Sequence, residues 1–154
     1  MNKNTLTLSK QEMQLCGQQV LNMVVEHFLS LADKPVATPT DEAMLAEWYK
    51  EPIPKQGADF EQVLTELNEK ALGSMSHLDH PRCFAFVPSP SNYISALAEF
   101  IASSYNIFAG AWLGPSGVAA IEVKSISWLK EIFGFQGHAG GLFVSGGSMA
   151  NLTA

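Results

Sequence analysis

The chain has 154 residues, room for one domain or slightly more. Hydrophobic residues make up 47% and charged residues 16%, at a mean hydropathy of +0.08, which excludes a disordered tail. A net charge of −6 excludes an electrostatic footprint for nucleic acid or an anionic membrane, and no apolar run approaches the roughly 18–20 residues of a membrane-spanning helix.

The first residues lack the continuous apolar stretch of a secretion signal. The spacing then predicts a helix over 10–31. Met13, Val20, Val24, Phe28 and Leu31 recur near a 3.6 period, and Leu21 and Val25 widen the stripe. Ser9 followed by Glu12 reads as a capping box. A proline-bearing connection covers 33–39, and a short acidic helix is expected over 41–50, broken by the prolines at 52 and 54. Asp59 opens another helix with Phe60, Val63, Leu64, Leu67 and Ala71 on one face, and Gly73 ends it.

The character then changes. Residues 1–75 hold 17 of the 24 charges, and residues 76–154 only 7, too few to keep the surface of an independent domain wet. The second half therefore reads as the core of something larger or as an obligate interface. Residues 80–90 are extended and proline-bounded. A helix follows over 91–105, with Ser91 as a capping candidate, then a loop over 106–117 rich in glycine and aromatics. A helix over 116–133 is expected to turn Val118, Ile121, Ile126, Leu129, Ile132 and Phe133 inward, ending at Gly134. Residues 140–145 read as a short buried strand, and 146–151 as a turn into a new helix.

The glycine turn carries the strongest chemical signal. A strand entering Gly146-Gly147 and leaving as a helix leaves the first helical amides without backbone acceptors at the positive end of the dipole. The Ser148 hydroxyl completes a compact phosphate cradle. The turn is neither a Walker loop, since no lysine follows the glycines, nor a GxGxxG fingerprint. The plainer reading is a tight strand-to-helix turn with Ser148 as N-cap. Pro88 to Tyr93 forms a stiff loop that suits either a pocket wall or a linker.

The other titratable groups point to structure rather than catalysis. His27 falls on a helix. His77, Asp79 and His80 lack the third strong ligand that a metal site needs. Cys16 and Cys83 make neither a disulfide framework nor a zinc set, and a reducing cytoplasm is the expected compartment. Cys83 lies beside Arg82 in an apolar run that suits an inert thiol. Glu99 and Glu122 sit in otherwise apolar helices, as polar anchors or as the wet face.

Three stretches, in order and spacing, resemble the group II pyridoxal-phosphate-dependent decarboxylases, which act on aromatic amino acids, histidine, glutamate and diaminobutyrate. They are HPRCFAFVPSPSNY from His80, WLGPSGVAAIE from Trp112 with Trp128-Leu129 beyond it, and GLFVSGGSMANLTA from Gly141. The resemblance implies an α/β architecture of fold type I, with a mainly parallel sheet, for a whole relative, and mostly helix with few strands for this chain, which stops soon after that sheet begins. Residues 1–75 would be a helical dimerisation segment, and 76–154 the start of the large cofactor-binding domain, stopping after the phosphate turn. It implies that Gly147, Ser148, Met149 and Asn151 bind the phosphate of pyridoxal 5'-phosphate. Phe86, Val87, Pro88 and Ser89 would line the substrate pocket. Phe108 and Gly110 would reach a neighbouring subunit's site, and Gly110 stands where relatives often carry a bulky aromatic.

The family's cofactor-holding lysine, its acid at the pyridine nitrogen and its ring-stacking histidine fall downstream of the third motif, and no lysine of this chain matches the first of them. The expectation is therefore the N-terminal part of an amino-acid decarboxylase. Alone, it would neither hold the cofactor stably nor act. Its partner would be a second copy of itself or the missing C-terminal portion. The alternative is a non-catalytic, decarboxylase-like remnant that serves as a dimerisation module.

Overall fold

The computed structural model describes residues 7–87, 89–108, 114 and 116–154. Among these residues six α-helices follow one another: α1 (Lys10–Ser30), α2 (Glu42–Trp48), α3 (Phe60–Glu66), α4 (Tyr93–Tyr105), α5 (Ser116–Ile132) and α6 (Gly147–Thr153). A π turn (Leu67–Ala71) and a 3-10 turn (Leu72–Ser74) continue α3. Two compact units divide the chain, Met1–Leu97 and Ala98–Ala154, so the spatial grouping runs further along the chain than the change in charge density at residue 75.

Local chemistry sets the helix boundaries. At α1 the capping box forms in both directions: the Glu12 amide donates to Ser9 Oγ at 3.2 Å, and the Ser9 amide to the Glu12 carboxylate at 2.9 Å. Asp41 caps α2, its Oδ1 accepting from the amides of Ala43 and Met44. The cap of α4 is Asn92 rather than Ser91, with Oδ1 accepting from the Ser95 amide at 2.9 Å. Asn106, at φ 44°, closes α4 in the left-handed conformation that asparagine tolerates. The end of α5 is a Schellman lock, in which Phe135 N–H donates to the Lys130 carbonyl and Gly134 N–H to that of Glu131. Gly73 has a packing reason: a Cβ there would lie 3.0 Å from the Asn68 carbonyl oxygen.

The first unit is stitched together by polar contacts around two buried histidines. The His77 amide donates to the Val36 carbonyl at 2.8 Å, beside an antiparallel bridge between Ala37 and Ser76. His80 Nδ1 accepts from the Arg82 amide at 2.9 Å, so the ring proton sits on Nε2, which donates to the Lys34 carbonyl at 3.1 Å. His27 of α1 meets Asp79 at 3.0 Å, 52 residues along the chain. Its ring also faces Phe28, whose other neighbour is Tyr93 at the start of α4. Lys70 bonds Glu51 at 3.0 Å and lies 5.6 Å over the Trp48 ring, and the Glu51 hydrogen bond raises its pKa.

Two expectations fail for the same reason. Residues 140–145 form no strand; they have no ladder partner among the described residues, and the chain bends at Ser145. A strand is made by its neighbour, and a parallel pair needs a second strand on a long crossover. The inward face expected of α5 is likewise uncovered: Val118, Ile121, Leu129, Ile132 and Phe133 are exposed, and only Ile126 is half-buried. Leu31 is the one buried hydrophobic residue among those described. The chain exposes 12959 Å² of surface. A compact monomer of this mass exposes about 7,600 Å², and two separate domains the size of the two units about 9,100 Å². No helix among the described residues is long and apolar enough to cross a membrane.

The His27–Asp79 contact sets a titration test. Burial of Asp79 works to raise its carboxyl pKa, and the hydrogen bond from His27, with a backbone bond, outweighs it; the net value lies below 3.8. Because the folded carboxyl titrates below the unfolded one, the tether stabilises the fold above the ordinary carboxylate range. That contribution is lost as pH falls through the folded Asp79 value. His27→Ala is expected to raise the Asp79 pKa, read from its carboxyl carbon shift in an acid titration; an unchanged midpoint would show that the contact does not form in solution.

Candidate functional site

The glycine turn takes its shape from one residue that only glycine suits. Gly146 sits at φ 150°, ψ 175°, and a Cβ on Gly147 would meet nothing within 4 Å. The first backbone bond of α6 is Ala150 N–H to the Gly146 carbonyl, at 3.0 Å. The amides of Gly147, Ser148 and Met149 precede it, so none has an acceptor within the helix. The N-cap is Gly146, not Ser148; Ser148 is the second residue of α6, with its hydroxyl on the same exposed turn. Three outward amides, an open glycine and a hydroxyl fit an anionic group such as a phosphate. Asn151 lies one turn further along α6.

Helix α5 holds the segment leading into this turn. Glu122 Oε1 accepts from the Phe143 amide at 3.1 Å. A Cβ on Gly141 would lie 3.2 Å from Ile126 Cγ2, so glycine lets the segment lie close against the helix. Lys130 Nζ donates to the Gly137 carbonyl. Glu122, Ile126 and Lys130 are spaced four apart on one stripe of α5, and all are half-buried. The opposite face carries a shallow apolar recess that includes Ile121, Lys124 and Trp128, with the Lys124 ammonium 5.7 Å from the Trp128 ring. This recess is remote from the stripe that holds the turn.

The residues expected to line a pocket divide between the two units. Phe86, Val87 and Ser89 belong to the first unit and Phe108 to the second, and all four are exposed. Pro88 and Gly110 lie outside the described residues. Phe86 nevertheless stands out, because at φ 63° it holds a conformation costly for a non-glycine side chain. Such strain is concentrated at functional segments. Among the described residues no group of three His, Cys, Asp or Glu side chains is placed to hold a metal ion. Reading residues singly missed the Lys130–Gly137 bond; its signal was a lysine shortly before the helix-ending Gly134.

The profile of the pyridoxal-dependent decarboxylase conserved domain matches residues 42–154. The chain belongs to this family. It is 44% identical over 149 residues to the aromatic-L-amino-acid decarboxylase of Bacillus atrophaeus, covering 97% of this chain and 31% of that protein. It therefore spans about a third of the length of that curated relative, and the matched region is the N-terminal portion of relatives.

Solved structures show the same fold. Oryza sativa TDC with PLP superposes with a TM-score of 0.77 at 20% identity, covering 90% of this chain and 30% of that one. The glutamate decarboxylase domain of a Vibrio parahaemolyticus transaminase–decarboxylase superposes at 0.76 with 19% identity, covering 98% and 33%. The fold is that of the α/β pyridoxal-phosphate decarboxylases, of which this chain carries a helical portion, and the family binds pyridoxal phosphate.

A test of the turn follows from Gly146. Alanine there is expected to cost about 1–3 kcal/mol of local backbone strain. In amide hydrogen exchange, residues 150–153 of the variant should lose protection while α5 keeps its own. Equal protection in both proteins would show that the turn does not hold this conformation.

Proposed function

We propose that this chain is the N-terminal part of a pyridoxal-phosphate-dependent decarboxylase that removes the α-carboxylate of an aromatic L-amino acid as carbon dioxide. The observation that carries the reading is the 44% identity to the Bacillus atrophaeus aromatic-L-amino-acid decarboxylase along 97% of this chain. The open glycine turn supports it from the side of structure.

In this reading Gly147, Ser148 and Met149 present their amides to the cofactor phosphate, and the Ser148 hydroxyl donates a further hydrogen bond. Charge-assisted bonds of this kind are roughly twice as strong as neutral ones, and the amides are held in place before the anion arrives. Asn151 adds a polar side chain one turn on. Phe86, Val87, Pro88 and Ser89 form a wall of the substrate pocket, with the strained Phe86 backbone aiming that wall. Phe108 and Gly110 reach the site of a neighbouring subunit. Pyridoxal phosphate, when bound, supplies the electron sink that takes up the pair left by the departing carboxylate.

The lysines of α5 do not serve as its covalent anchor. Lys124 lies over the Trp128 ring and Lys130 is bonded to the Gly137 carbonyl, both upstream of the turn. We infer that these 154 residues do not decarboxylate by themselves and that the anchor comes from the C-terminal portion of the complete polypeptide. Residues 1–75 serve as a dimerisation segment, and 76–154 open the large cofactor domain. The uncovered apolar faces of α4 and α5 are closed by the rest of that domain and by a second copy.

Two measurements test the proposal. In the complete polypeptide, Ser148→Ala is expected to weaken pyridoxal 5'-phosphate binding about 10- to 100-fold, followed by visible absorbance, because one hydrogen bond to a charged group is lost. Carbon dioxide release from tryptophan, tyrosine and phenylalanine, with none from glutamate, would support the aromatic assignment; the reverse preference would sink it. Sedimentation should show the complete polypeptide as a dimer, whereas a monomer with full activity would remove the role given to residues 1–75.

A further inference from the structure

The sequence left Glu122 with two roles open, anchor or wet face, and the structure decides between them. Helix α5 has a wet, apolar-lined face and a second stripe that touches the segment running toward the glycine turn. On that stripe Lys130 meets Gly137, Ile126 meets Gly141 and Glu122 meets Phe143. The segment thus runs back along α5 against the helix direction. Four-residue spacing places successive anchors about 6 Å apart, so the stripe reads about 12 Å of the segment.

Of the three held residues, Phe143, bound by Glu122, is the nearest in sequence to the turn. Gly146 follows Phe143 by three residue steps, a reach of at most about 10–11 Å. A shift of Phe143 therefore carries over to the amides that follow Gly146. The contact is directional: a carboxylate oxygen takes a backbone N–H that has no ladder partner among the described residues. The bond lies in the open, where water is the alternative acceptor, so its effect is on direction: while it holds, the peptide plane at Phe143 faces α5.

We infer that Glu122 is a positioning residue for the phosphate turn, its carboxylate fixing the Phe143 peptide and through it the direction in which Gly147, Ser148 and Met149 present their amides. This rests on the reading of that turn as the phosphate site. Glu122 touches neither cofactor nor substrate in this role. What it needs is an acceptor atom at the right place rather than a negative charge. Glutamine keeps such an oxygen and alanine does not, and that difference separates positioning from long-range electrostatics.

The test compares Glu122→Ala and Glu122→Gln in the complete polypeptide, with the affinity for pyridoxal 5'-phosphate divided by that for pyridoxal as the readout. A general loss of structure lowers both affinities, whereas a misplaced phosphate turn lowers only the first. Glu122→Ala is expected to reduce the ratio about tenfold, the worth of one well-placed hydrogen bond, and Glu122→Gln to keep it within about twofold of the parent. The Phe143 amide should exchange faster with deuterium in Glu122→Ala and at the parent rate in Glu122→Gln.

An unchanged ratio in Glu122→Ala overturns the inference, as does a loss in Glu122→Gln equal to that in Glu122→Ala. Ser148→Ala, run in parallel, keeps the two claims apart. If Ser148→Ala lowers the ratio and Glu122→Ala does not, the positioning role fails and the phosphate site stands. If the parent protein does not discriminate between the two ligands, both fail together.

Discussion

An apolar side chain gains free energy only where a second surface takes it out of water, and in this chain most such surfaces are missing. The helical faces are correctly patterned, yet Leu31 alone among the described hydrophobic residues is buried. At about 25 cal/mol per Å², the hydrophobic term is earned by area removed from water rather than by pattern. Phe100 and Ile101 on α4, and Ile121 and Ile132 on α5, remain exposed. In the proposed function these faces are closed by the rest of the large domain and by a second copy, a reading that the low charge of the second half suits.

Under that constraint, polar and directional contacts give the local structure its definition. Helix ends are set by Ser9, Asp41 and Asn92, each satisfying amides that the helix cannot. The first unit is tied by His27 to Asp79 and by His80 to the Lys34 carbonyl, both contacts across more than 40 residues. The second unit is tied by Glu122 and Lys130 on the inner stripe of α5. Single hydrogen bonds contribute only about 0.5–1.5 kcal/mol each. They specify a geometry at little gain in stability, and that suits a segment whose main stabilisation comes from elsewhere.

The division between what could be read from sequence and what could not follows the range of the interaction. Helices α1 to α6 were legible because periodicity and caps are local: the Ser9–Glu12 box and the Gly134 stop need only neighbouring residues. The strand over 140–145 was not, since its pairing partner is not in the pattern of the strand itself. The inward face of α5 was assigned from its apolar residues, but the stripe that faces the turn carries a glutamate and a lysine. Periodicity cannot rank a polar stripe above an apolar one when the apolar partner is absent. The His27–Asp79 pair, 52 residues apart, left no local trace at all. At the candidate site, the turn could be read because Gly146 to Met149 form a contiguous motif, whereas Phe86, Val87 and Ser89 would acquire a role only against a second surface, which their own pattern does not carry.

The glycines around the turn illustrate how a single residue type answers to different constraints. Gly146 is required by its own backbone, at φ 150°, with open space where a side chain would go. Gly141 is required by a neighbour, Ile126, which a Cβ would approach to 3.2 Å. The first freedom lets the chain turn sharply enough to expose three amides together. The second lets the segment lie close enough to α5 for Glu122 to reach the Phe143 amide. A bulkier residue at 141 would lift the segment from the helix while leaving the turn itself intact, and the amides would still be free but aimed from a different origin. The proposed phosphate site, made of backbone donors, would depend on both, because its strength would come from donors held in place before the ligand arrives. The glycine-rich run is therefore two adjacent solutions, one conformational and one of packing, and α5 is the element that joins them.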